Sequence, residues 1–189
     1  MNLPNRLTML RMALIPLFLV FIFLPSIPFH LLWALVVFAA ASFTDMLDGK
    51  IARKRGLITD FGKLMDPLAD KLLVMSAMVS FVELGWAPAV VVIVILAREF
   101  LVTSIRLIAA GKGSVLAADK WGKMKTVSQM VWICFLLLSK WMLESFAIAG
   151  SGAILLNGVH WVLMAVVVYL TLYSGVNYMR NNWELFRDA

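Results

Sequence analysis

Four aspartates stand in two pairs, Asp45 with Asp48 and Asp66 with Asp70. On a helix the i,i+3 pair lies about 60° apart and the i,i+4 pair about 40° apart, so each pair shares a face. The 12 residues between Arg53 and Asp66 form a connection short enough to make two antiparallel neighbours, with all four acids at one end. Carboxylates drawn together repel one another and lose hydration, which is unfavourable until cations or protons neutralise them. Hard divalent ions take oxygen ligands, and no His or Cys stands nearby to favour zinc. One or two Mg²⁺ or Mn²⁺ ions suit the set best. Such ions, with arginine and lysine close by, are the equipment of phosphoryl transfer, where positioning and charge neutralisation carry the catalysis. Singly, each acid has a plainer explanation. Asp66-Pro67 has the form of an N-cap followed by proline at N1, and Asp45 and Asp48 can pair with Lys50 and Arg53. Those readings explain one acid at a time and leave the joint spacing unexplained.

The elements that position these acids must be membrane helices. Of 189 residues, 62% are hydrophobic and only 15% charged, against usual shares of about 45–50% and about 25%; the mean hydropathy is +0.92. A soluble domain of this size has too little interior for so much apolar surface. Apolar stretches fall at about 12–29, 31–49, 67–82, 86–108, 126–143 and 153–176 without strand-like alternation, and a crossing takes about 20 residues. The expected fold is therefore an all-α integral membrane protein, residues 1–189 forming a single domain of six transmembrane helices. Pro25 and Pro28, Gly85 and Pro88, Gly111 and Gly113, and Gly150, Gly152 and Gly158 punctuate the stretches. Asn5 to Arg11 reads as a short N-terminal interfacial helix. No small-x-small site precedes Pro25, so the first segment reads as retained rather than as a cleaved signal.

Charge fixes the orientation. Placing the N-terminus in the cytoplasm puts sixteen of the seventeen basic residues inside and leaves Lys140 outside, the positive-inside bias of a protein with both termini cytoplasmic. The net charge of +6 thus belongs to topology and anionic lipid. A soluble fold, a disordered chain and a nucleic-acid module are excluded. The single cysteine, Cys134, permits no intrachain disulfide and reads as packing.

A second charged group is Arg98-Glu99-Phe100 with Arg106, followed by Gly122-Lys123-Met124-Lys125-Thr126. Arg98 lies ~18 Å along a helix entered near Trp86, still below the cytoplasmic surface, where a charge points to function. The alternative for Arg98 is a contact with Glu99, although neighbouring helical residues point about 100° apart and pair awkwardly. For either lysine the alternative is ordinary positive flanking. Together they supply a basic pocket suited to an acceptor that carries its own phosphate.

The pattern Asp-x2-Asp-Gly-x2-Ala-Arg-x8-Gly-x3-Asp-x3-Asp, complete from Asp45 to Asp70, resembles the signature of the CDP-alcohol phosphatidyltransferases at every fixed position. The resemblance implies a two-metal site on the diphosphate of a CDP-linked donor, with CMP as leaving group. It makes Asp45, Asp48 and Asp66 ligands, and Asp70 both ligand and general base toward the acceptor hydroxyl. Gly49 and Gly62 would let the nucleotide approach the backbone, Ala52 keeps that wall low, and Arg53 can offset diphosphate charge.

The Arg98-Glu99-Phe100 block, Arg106 eight residues after Arg98, Gly122-Lys123-x-Lys125-Thr126 and the opening Asn2-Leu3-Pro4-Asn5-x-Leu7-Thr8-x2-Arg11 are similar to those of one branch, the bacterial phosphatidylglycerophosphate synthases. That likeness implies CDP-diacylglycerol as donor, sn-glycerol 3-phosphate as acceptor, a homodimer, and a place in the bacterial cytoplasmic membrane with the site facing the cytoplasm. Arg106 and Lys123 become the leading contacts for the acceptor phosphate, with Arg98 and Lys125 behind them. Asn5, Thr8 and Arg11 border the donor site or anchor the chain at the interface.

Two competing readings stand beside this one. A sister transferase would use another acceptor, such as inositol phosphate. A divalent-cation transporter would also gather intramembrane acids, yet outside the cluster the spans hold almost no carboxylate except Glu99, and no ladder of acids reaches the outer face.

Overall fold

The computed structural model describes the backbone of residues 3–55, 60–111 and 119–183, and the side chains of 8–44, 71–111 and 119–183. Among the described residues there are six helices and no strand: α1 (Leu3–Phe23), α2 (His30–Arg55), α3 (Asp60–Glu83), α4 (Ala89–Gly111), α5 (Lys120–Ser145) and α6 (Ser151–Asn181). The links fall at the expected punctuation. Pro25 and Pro28 separate α1 from α2, and Gly85 takes φ +69° between α3 and α4, a conformation that glycine reaches without steric cost.

Three local expectations are corrected. First, α1 is unbroken from Leu3 through Pro16 to Phe23, so Asn5 to Arg11 form its first turns and not a separate interfacial helix. Second, α3 begins at Asp60, which places Asp66-Pro67 inside the helix and removes the N-cap explanation of Asp66. Third, Gly152 and Gly158 lie within α6, whose N-cap is Gly150 at φ 62°. The first two share a cause. Hydropathy marks where a helix meets an apolar medium, whereas backbone hydrogen bonding continues through Lys, Arg, Met and Leu, which are good helix formers.

α1 packs on α2 and α3, α2 reaches α5, α5 pairs with α6, and α4 bridges α3 and α6. The core joins α1, α2, α3 and α5 through the buried residues Phe18, Phe38, Phe81 and Trp132; Phe81 meets Trp132 edge-on at 6.0 Å between centroids. Val102 and Ile105 of α4 and Tyr178 of α6 form a smaller core. The outer surface carries large apolar side chains, including Ile93, Ile154, Leu155 and Val162, a face that suits lipid rather than water.

By length and apolarity α5 and α6 can cross a membrane. α4 has 23 residues, but Arg98, Glu99 and Arg106 interrupt its apolar run. These charges belong to the site.

Candidate active site

The two halves of the aspartate pattern lie on helical backbone, Asp45, Asp48, Gly49, Ala52 and Arg53 in α2 and Gly62, Asp66 and Asp70 in α3. The i,i+3 and i,i+4 spacings are therefore true helical spacings. The side chains of these eight residues, and that of Asn5, lie outside the described residues, as does the expected convergence of the four carboxylates. The donor set is all oxygen on two helices that pack together, which fits a hard divalent cation.

Thr8 and Arg11 are both buried, at 0% and 1% exposure. Both lie on α1, which packs against the two helices that carry the aspartates. Their setting is the protein interior and not a lipid interface.

The second charged group assembles around a carboxylate. Oε1 of Glu99 accepts from Nη1 of Arg98 at 2.9 Å and from Nζ of Lys125 at 2.7 Å. Lys125 is 2% exposed, and a desolvated ammonium of this kind requires an anionic partner. The Arg98–Glu99 contact that the 100° separation made awkward does form; the long guanidinium stem folds back to reach the neighbouring side chain. Pairing uses one nitrogen of Arg98. Its buried Nε has no hydrogen-bond partner among the described residues, so the pairing leaves donor capacity unused.

Glycine makes room for this arginine. A Cβ on Gly175 of α6 would stand 3.1 Å from Cγ of Arg98, and one on Gly122 of α5 would stand 3.4 Å from its Nη2. Arg98 thus lies in a slot between α5 and α6.

A cavity of about 500 Å³ opens beside this slot, lined by Lys71, Arg98, Arg106 and Lys123 together with Glu99 and Asp119. Three of the four cations expected to hold an acceptor phosphate therefore share one space. Lys125 lines an adjoining smaller pocket with Lys71 and Glu99. Arg106 donates from Nε to the Tyr178 hydroxyl at 3.2 Å, with its guanidinium carbon 5.5 Å from the centroid of that ring. Asp119, just before α5, accepts from Asn177 of α6 at 2.8 Å.

Sequence reasoning counted Lys71 only toward topology, yet it lines both spaces. Its ammonium donates to the Thr103 hydroxyl and ties α3 to α4. The available signal was its position immediately after Asp70. No comparable signal marked Asp119, Asn177, Tyr178 or Gly175, which only the packing of α6 brings to the site.

Comparisons with known proteins identify the family. A family model described as CDP-alcohol phosphatidyltransferase matches residues 1–173. The chain is 42% identical to the CDP-diacylglycerol–glycerol-3-phosphate 3-phosphatidyltransferase of Bacillus subtilis, covering 100% of this chain and 98% of that protein. A protein of the same name from Rickettsia typhi is 35% identical, over 95% of this chain and 96% of its own length. A probable phosphatidylglycerophosphate synthase of Mycobacterium tuberculosis is 38% identical, over 94% and 80%. With the aspartate pattern complete and the match running through nearly the whole chain, the protein belongs to the CDP-alcohol phosphatidyltransferase family.

Proposed function

We propose that the chain transfers the phosphatidyl group of CDP-diacylglycerol to sn-glycerol 3-phosphate, giving phosphatidylglycerophosphate and CMP. One observation carries the choice of acceptor: Lys71, next in the chain to Asp70, shares its cavity with Arg98, Arg106 and Lys123. An acceptor phosphate held there meets four cations against two carboxylates, and one of those carboxylates, Glu99, is already engaged by Arg98 and Lys125. A neutral alcohol has no use for that charge. The names of the relatives support the same donor and acceptor.

In this reading Asp70 takes the proton from the glycerol hydroxyl. The freed oxygen attacks the β-phosphorus, which carries diacylglycerol, and the bond from that phosphorus to the bridging oxygen breaks as CMP departs. Asp45, Asp48, Asp66 and Asp70 would hold Mg²⁺ or Mn²⁺, which when bound supplies charge neutralisation at the diphosphate. Arg53 adds to that neutralisation, and Gly49, Ala52 and Gly62 leave the helix walls low for the nucleotide. Thr8 and Arg11 close the donor side from α1, with Asn5 one turn before Thr8. Arg98, Arg106, Lys123 and Lys125 orient the acceptor, which keeps its hydroxyl close to the base. All six helices would span a bacterial cytoplasmic membrane, with both termini and the site on the cytoplasmic side. Family likeness is the ground for a homodimer.

The deciding assay offers purified protein Mg²⁺ or Mn²⁺, CDP-diacylglycerol and either glycerol 3-phosphate or inositol phosphate, and measures CMP. We expect release with glycerol 3-phosphate. Release with inositol phosphate alone overturns the acceptor, and ion flux without CDP-lipid would make the protein a transporter. Asp70→Asn should lower turnover by about a hundredfold or more while Mn²⁺ binding stays measurable; undiminished turnover removes Asp70 as the base.

A further inference from the structure

At the opposite end of the bundle from the aspartates, α5 and α6 enclose a second polar space. It has a volume of about 160 Å³ and is lined by Trp86, Ser139, Lys140, Asn157, His160 and Trp161, among others. His160 is 5% exposed. The indole N–H of the fully buried Trp132 donates to its Nδ1 at 3.2 Å. Nδ1 is thereby the acceptor, so a neutral imidazole carries its proton on Nε2. That nitrogen is buried beside the Trp86 backbone carbonyl, an acceptor it meets without completing a well-aligned hydrogen bond.

A buried donor left with a poorly aligned carbonyl is under-satisfied, and an acceptor oxygen in the space would complete it. The charge nearby has the same sense. Lys140 forms no ion pair among the described residues, and its ammonium stands 5.2 Å from the Trp86 ring centroid. Asn157, on the exposed face of α6, makes no side-chain hydrogen bond among the described residues and adds a free amide. Glu144, one turn further along α5, meets His30 at 3.2 Å and also interacts with the charge of Lys140, but it stands outside the lining of the space. The space therefore presents an imidazole N–H, an ammonium and an amide, and lacks a carboxylate among its lining residues.

We propose that this space binds a phosphate group, at a site separate from the catalytic cavity. Its volume admits a phosphate-sized group or several waters. A phospholipid headgroup is one source, because exposed apolar side chains of α6, Ile154 and Leu155 at 74% and 67% exposure, stand within one turn of Asn157. Trp86 and Trp161 line the space in the manner of interfacial anchors. Inorganic phosphate is the other source.

The test uses full-length protein in detergent, monitored by native mass spectrometry and by the thermal unfolding midpoint. It is titrated with short-chain phosphatidylglycerol, with the matching uncharged diacylglycerol, and with inorganic phosphate. Phosphatidylglycerol is expected to bind and raise the midpoint, diacylglycerol is not, and Lys140→Gln should weaken binding about tenfold without lowering CMP release. Binding of inorganic phosphate with the same sensitivity to Lys140→Gln supports the site and names the free anion as its occupant. His160→Gln should act in the same direction; should it fail to fold, Lys140→Gln still decides. No binding of either probe, or binding indifferent to Lys140→Gln, overturns the proposal and leaves the Trp86 carbonyl and water as the partners of His160.

Discussion

The two ends of the helix bundle use their few charges in different ways. At the end carrying the aspartates, the ammonium of Lys125 is 2% exposed and locked to Glu99, and Arg98 shares the same oxygen from a slot between two glycines. At the other end, the carboxylate of Glu144 is 53% exposed where it meets His30. Burial separates the two cases. A desolvated charge forces its surroundings to supply a partner, so the Glu99 cluster is rigidly specified. An exposed pair competes with water and specifies little. Both ends hold ion pairs, but among the described residues only the aspartate end arranges four cations around a cavity of about 500 Å³.

The largest effect should come from removing the shared carboxylate. Glu99→Ala strips Lys125 and Arg98 of their common partner, and breaking a buried pair costs about 3–5 kcal/mol. Glu99 is about one-fifth exposed, which puts the loss at the lower bound, about 3 kcal/mol, read as a lowered unfolding midpoint. The KM for glycerol 3-phosphate should rise as well, since Arg98 loses its fixed position. Glu99→Gln retains an acceptor oxygen and should recover part of both losses. A Glu99→Ala protein as stable as the parent would erase the distinction between the two ends.

A smaller effect is expected at the rim of the same cavity. Arg106 is exposed but lies on the Tyr178 ring and donates to its hydroxyl, leaving its terminal nitrogens for an anion. Arg106→Gln should raise the KM for glycerol 3-phosphate roughly tenfold, with kcat less affected, in the range of one charge-assisted hydrogen bond. The penalty should shrink as salt rises, because exposed charges are screened. Steady-state kinetics at low and high salt check both points; an unchanged KM would move the acceptor phosphate away from Arg106.

Much of this was legible in the sequence because charge is scarce. The six helices among the described residues follow from six apolar stretches, and the aspartate pattern is a local spacing that helical backbone preserves. Arg98, Arg106 and Lys123 could be grouped because they flank consecutive helices. Tyr178 and Gly175 could not, since what places them is the packing of α6 on α4 and α5. Pairing of Arg98 with Glu99 was misjudged for a different reason. Periodicity gives the direction of the Cα–Cβ bond, whereas a guanidinium has enough rotatable bonds to depart from it. The helix ends were misplaced because apolarity and hydrogen bonding stop at different residues, as Asp66 inside α3 shows.

The smallest effect belongs to the opposite end. Nδ1 of His30 lies 3.0 Å from the carbonyl oxygen of Phe21, and Nε2 lies 3.2 Å from Glu144. With Nδ1–H donating to that carbonyl, Nε2 faces a carboxylate that stays half open to water. Exposed pairs of this kind contribute about 0.2–1 kcal/mol. Glu144→Gln should therefore shift the unfolding midpoint by no more than about 2–4 °C and leave the KM for glycerol 3-phosphate unchanged. His30→Gln should cost slightly more, because the bond to the Phe21 carbonyl is weakened along with the pair. Parallel unfolding and kinetic measurements on the two variants distinguish a local loss from a transmitted one. A rise in KM matching that of Arg106→Gln would mean that the ends are coupled through α2 and α5, the helices whose tips carry this pair, and that exposure alone does not rank the charges of this bundle.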